Sequence, residues 1–220
     1  LGVEDLGYED IYTPLITRDD PWPLERAEAA TIEATKSLGP AYTEVLTRGL
    51  QSRWMDTYPQ PGKAAGAYAT GVYGIHPFVL MNYQDDYESA STLAHEWGHA
   101  MHTWMAGQTQ PFPDSNYDTF IAEVASTFNE ALLLDQVLGE AKDDDERLFV
   151  LGSALEALRG TFFRQAMFAE FQRDIQARIE AGEALTGERL SETYLDLLRR
   201  YHGAAEGVMA IDAAYGCEWA

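Results

Sequence analysis

The sequence predicts a mainly α-helical domain with a small β-sheet, in which a helix carrying His95 and His99 packs on a helix carrying Glu123. Three observations predict it. Apolar residues recur at helical spacing over most of the chain. A stretch punctuated by Pro59, Pro61, Gly62, Gly66, Gly71, Gly74 and Pro77 interrupts them. Acidic or hydroxyl residues stand where the longest periodic stretches begin.

Up to about Trp22 the text has little periodicity, and Asp19-Asp20-Pro21 reads as a loop. Leu24, Ala27, Thr31, Ala34 and Leu38 mark one face of a first helix, which Gly39-Pro40 stops. Tyr42, Val45, Leu46, Leu50 and Trp54 continue a second helix to about Tyr58. Within the punctuated stretch, residues 65–72 and 78–83 are short and rich in aromatic and β-branched residues, so two strands are expected. Asp85-Asp86 caps a helix to about Ala106, and Asp118 or Thr119 caps another through about Leu138. Residues 143–145 place negative charge at the start of a long helix reaching about Ala181, and Thr186 or Ser191 opens a last amphipathic pair. No internal repeat or boundary interrupts this pattern, so residues 1–220 read as one domain. The first residue is Leu1 rather than methionine, and the chain is expected to be part of something longer.

The chain has 220 residues, 46% hydrophobic and 12% aromatic, enough to bury a core. Its 36 acidic against 15 basic residues give a net charge of −21, which repels polyphosphate and anionic lipid. Nucleic acid and membrane surfaces are therefore not expected partners. No apolar run is long enough to span a bilayer, and the opening residues lack a secretory pattern. Cys217 is the one cysteine, so no intrachain disulfide exists and a reducing setting is expected. Its side chain is expected to act as a small apolar filler.

The chemistry sits in His95-Glu96-Trp97-Gly98-His99, a His-Glu-x-x-His pattern on an expected helix. Residues i and i+4 share a face, so both imidazoles can reach one ion. Glu96 is rotated by about 100° from His95 and borders that face without belonging to it. Two neutral nitrogens and a carboxylate suit Zn2+, one ion per chain, and leave a position open for water. Glu96 would then serve as general base on zinc-activated water.

A third ligand is needed, and its position separates classes of zinc peptidase. One class requires Gly and His where this chain has His102 and Met105, and is excluded. The other route is a glutamate on the following helix. Glu123 stands there among small and apolar residues, where an unpaired buried charge is too unfavourable to persist. Glu130, seven residues on, is either a group orienting a ligand histidine or an ordinary exposed charge. Asp114 and Asp118 are weaker candidates, explained by loop and cap roles. A di-iron bundle would need a second Glu-x-x-His beside Glu96–His99, and the sequence has none.

His95 to His102, followed by Ala122-Glu123-Val124-Ala125-Ser126-Thr127-Phe128-Asn129-Glu130, resembles the thimet-type (M3) zinc oligopeptidases, and specifically the oligoendopeptidase F branch. Residues 62–68, His76-Pro77-Phe78 and residues 161–168 match that branch too, so the resemblance spans almost the whole chain. It implies a zincin-like catalytic domain that cleaves internal bonds of short peptides in the cytoplasm. It implies His95, His99 and Glu123 as zinc ligands and Glu96 as general base.

The family also carries a His- and Tyr-rich segment beyond the point matching Ala220 and a helical part before Leu1. Reduced activity, or a zinc- and peptide-binding role with little catalysis, is therefore the alternative expectation. Gly66, Ala67 and Tyr68 could form an edge that pairs with an extended peptide, or only pack on the active helix. His76 reads as a turn residue or a substrate contact, and His102 as a supporting or helix-contact residue. Gly98 should admit a close backbone, Trp97, Met101, Trp104 and Met105 should be core, and His202 should sit at a helix end without a chemical role.

Overall fold

The structure is a computed structural model that describes residues 6–13, 16 and 20–220. The loop expected at Asp19-Asp20-Pro21 lies partly outside the described residues. The chain forms two compact units, residues 18–150 and residues 1–17 with 151–220. As the sequence predicts, the described residues are mainly helical with one small sheet.

In the larger unit, α1 (Leu24–Ala34) buries Ala27, Thr31 and Ala34. A 3-10 turn, Thr35–Leu38, follows it, and the Thr35 hydroxyl donates to the Thr31 carbonyl at 2.8 Å. Gly39 adopts φ +92°, and Pro40 opens α2 (Pro40–Leu50) at a position where its missing N–H is harmless. The second helix stops at Leu50 rather than near Tyr58. Beyond it, Met55–Asp56 forms a strand, β1, because Val79 donates its N–H to the Trp54 carbonyl at 2.8 Å. Strands β2 (Tyr68–Thr70) and β3 (Phe78–Leu80) are both shorter than expected. The order is β1-β3-β2, with β1 parallel to β3 and β2 antiparallel to it, Ala69 facing Val79.

Two long helices cross beside the sheet. In α3 (Tyr87–Thr109) the Asp86 carboxylate caps the first turn by accepting from the Ser89 N–H at 2.7 Å. Asp118 occupies the cap position of α4 (Thr119–Glu140). Ala90, Leu93, Ala94, Trp97, Ala100 and Met101 bury one side of α3 among residues from α1, α2, α4 and the sheet. Gly49 on α2 leaves room for the Trp97 indole: a β-carbon there would stand 2.4 Å from Cζ3. Trp97 and Met101 are core as expected, whereas Met105 is 48% exposed.

Helix α5 (Asp144–Leu158) begins in the larger unit and ends in the smaller. The long helix expected to Ala181 is divided: a π-helical segment, Arg159–Phe163, separates α5 from α6 (Arg164–Glu180). The expected final pair is one helix, α7 (Gly187–Tyr201), capped by Thr186, and then turns and a 3-10 segment. Tyr8, Met167, Phe171, Tyr194, Leu197, Leu198 and Ile211 form the core of this unit. His202 sits at the end of α7 with Nδ1 donating to the Leu198 carbonyl at 2.9 Å. Cys217 is exposed, so it fills no core space; its turn in the final 3-10 segment points it outward.

Candidate metal centre

Helices α3 and α4 bring three donor atoms to one point. His95 Nε2 lies 3.1 Å from His99 Nε2, and Glu123 Oε2 lies 3.3 and 3.4 Å from the two nitrogens. These three side chains form a group that can hold a metal ion. The histidines meet because they are four residues apart on α3. Glu123 reaches them because α4 comes unusually close: a β-carbon on Gly98 would stand 2.7 Å from both the Ala125 carbonyl oxygen and Ser126 Cα.

The remaining ring atoms are committed. His95 Nδ1 pairs with Glu130 Oε1, and the His99 ring bonds the backbone of Ala122. Such bonds fix the tautomer and leave Nε2 as a lone-pair donor. Burial alone would lower the pKa of His95, but the bond and charge of Glu130, with Glu96 and Glu123, hold it above the ordinary value. His99 is lowered by burial and by neighbouring His95.

Glu96 is buried beside the triad without joining it. Its carboxylate accepts from the Ala69 N–H, while Oε2 is buried with no hydrogen-bond partner among the described residues. Burial raises its pKa, against the opposing charge of His95.

Glu123 itself is not buried: its side chain is 55% exposed, and Phe120 and Val124 are exposed around it. An apolar neighbourhood in sequence is here an open face, and it is the two histidines that accompany the carboxylate. His102 lies apart from the three donors, stacked on Tyr117 at 3.7 Å with Nδ1 buried and unpaired among the described residues. His76 stacks on Trp54 at 4.6 Å, and its Nδ1 donates to its neighbour's Pro77 carbonyl.

Gly66 is a turn residue with φ +81°, its carbonyl held by the Asn82 amide at 2.8 Å. Ala67 precedes the edge strand and Tyr68 opens it. Two residues that the sequence offers only as part of the run from Ala122 to Glu130, with no role of their own, also belong to this region. Ser126, fully buried, donates to the Glu123 carboxylate at 2.8 Å, and Asn129 bonds the Ala94 carbonyl at 3.2 Å. Their signal was spacing: Ser126 stands three residues after Glu123, on the neighbouring turn.

The chain is similar to the oligopeptidase PepF of Bacillus subtilis, 41% identical over all of this chain and 32% of that protein. It is also similar to a crystal structure from Chlamydophila abortus, with TM-score 0.78, 36% identity, and 99% of this chain against 36% of that one. The crystal structure of oligoendopeptidase-F from Enterococcus faecium follows at TM-score 0.59 and 29% identity, covering 99% and 30%. The chain thus spans about a third of the length of these relatives. The sequence model of Peptidase family M3 matches residues 25–216, and the chain belongs to that family.

Proposed function

We propose that this chain is the metal-bearing part of a zinc endopeptidase that hydrolyses internal bonds of short peptides. The observation carrying the proposal is the triad of donors 3.1, 3.3 and 3.4 Å apart. Tetrahedral zinc with ligands at about 2.0–2.2 Å sets its donors about 3.3–3.6 Å apart. Two imidazole nitrogens and one carboxylate oxygen also leave a fourth position open, as a catalytic site requires.

Zinc would supply Lewis acidity there, lowering the pKa of water towards 7 and polarising a carbonyl. His95, His99 and Glu123 hold the ion, and Glu130 orients His95. Glu96 takes the proton of the attacking water on its unpaired oxygen and hands it to the leaving amine. Strand β2 is one of the two edges of the sheet. Because Val79 directs its N–H to Trp54 on the other side, Ala69 turns its backbone groups away from β3, towards that edge. The Ala69 N–H already serves Glu96, so an extended peptide added at this edge would meet the Ala69 carbonyl and lie beside the base. No helix among the described residues is long and apolar enough to cross a membrane. A reducing cytoplasm suits a sequence with one cysteine.

Hydrolysis of quenched fluorescent peptides, with and without zinc, tests the assignment. Zinc-dependent cleavage is expected to fall about a hundred- to ten-thousandfold in Glu96→Gln while zinc binding persists. Turnover retained in that variant would remove Glu96 as the base. No cleavage by a folded, zinc-loaded chain would favour a binding role over catalysis for these residues alone.

A further inference from the structure

Glu123 is the weakly held member of the triad. It is half exposed, and a free glutamate side chain loses up to about 2 kcal/mol of rotamer entropy when it is fixed. Beside it Ser126 is closely packed: its Cα lies against Gly98 at the helix crossing, and the residue is fully buried. Its Oγ stands 2.8 Å from Glu123 Oε2, the oxygen that faces both histidines, and 3.1 Å from the Glu123 carbonyl. A serine hydroxyl has one proton to give. The Glu123 carbonyl already receives the Thr127 hydroxyl, which leaves the serine proton for the carboxylate.

We infer that Ser126 is a positioning residue whose hydroxyl locks the Glu123 carboxylate with Oε2 towards His95 and His99, so that the third metal donor is in place before the ion arrives. The inference rests on reading these three side chains as the metal ligands. The hydroxyl acts through Glu123 and is not itself one of the three donors. Preorganisation of this kind is what separates a tight site from three donors that merely can converge.

The test is zinc affinity by chelator competition on the parent chain and on Ser126→Ala, Glu123→Ala and the double variant, with folding checked by circular dichroism. Ser126→Ala is expected to weaken zinc about tenfold, in the range found for groups that orient metal ligands. In the Glu123→Ala background the same change should have no effect. An equal loss in both backgrounds would mean that Ser126 acts through helix packing, and would overturn the inference. So would unchanged affinity in the single variant. Should Ser126→Ala fail to fold, Ser126→Gly, which also removes the hydroxyl and adds no bulk, is read in the same way. If Glu123→Ala keeps full zinc affinity, the ligand assignment itself falls and the inference with it.

Discussion

The Asn129 amide donates a hydrogen bond to the Ala94 carbonyl at 3.2 Å, joining α4 to α3 one residue before Glu130 and one residue before His95. Its Oδ1 accepts from the Tyr42 hydroxyl of α2 at 3.0 Å, so a single buried side chain ties three helices together next to the candidate metal centre.

Asn129→Ala removes both bonds and leaves a small cavity. Its expected effect is a loss of about 2–3 kcal/mol in unfolding free energy. Urea denaturation measures it, and a variant within about 0.5 kcal/mol of the parent would show that the three-helix tie is unimportant.

Replacing Gly98 by alanine should destabilise the protein although alanine favours a helix by about 1 kcal/mol over glycine. The added carbon meets the Ala125 carbonyl and Ser126 Cα, both at 2.7 Å, and backbone cannot swing aside like a side-chain tip. Overpacking of about 1–3 kcal/mol is expected to win, together with weaker zinc binding as α4 is pushed back. A higher melting temperature for Gly98→Ala would refute this.

Glu130→Ala deprives His95 Nδ1 of its partner and should weaken zinc by about 10- to 100-fold. Glu123→Ala deletes a donor and should weaken it more. Chelator competition ranks the two, and the reverse order would exchange the roles assigned to these glutamates.

Burial pushes the phenols of Tyr42 and Tyr87 up to about 12, in Tyr87 with help from the Glu130 charge, and the Tyr42 hydroxyl donates its proton to Asn129 Oδ1. Because the folded values lie above the ordinary value of about 10, the neutral phenols stabilise the fold fully below pH 10. That contribution, on the order of 2–3 kcal/mol each, is lost as pH rises from about 10 to 12. The urea midpoint should fall over that interval, and less steeply in Tyr42→Phe. An equally steep fall in Tyr42→Phe would sink the assignment for that residue.

The helices that build the centre were legible because their signals are local. Asp86 caps α3 as its position implies, and His95 and His99 share a face by spacing alone. What escaped depends on distant partners. Leu46, Leu50 and Trp54 continue a helical period past the end of α2, but Trp54 instead stacks on His76 and offers its carbonyl to Val79, some two dozen residues later. The π-helical segment at Arg159–Phe163 leaves no mark in a continuous helical pattern. Glu123 was found through its apolar neighbours, yet Phe120 and Val124 are exposed, because composition alone does not say which face another element covers. Ser126 and Asn129 stand in the run that carries the resemblance but had no role of their own there, since their importance arises only where α4 meets α3.

His95 and His99 come from α3 and Glu123 from α4, with a loop of residues 110–118 between the helices. An ion held by all three would therefore be a cross-link as well as a reagent. Thermodynamic reciprocity then binds the two roles together: whatever free energy the ion adds to the pairing of the helices, their pairing adds to the retention of the ion. Chelation would act on this protein like a mild denaturant directed at one crossing, and denaturant would act like a chelator.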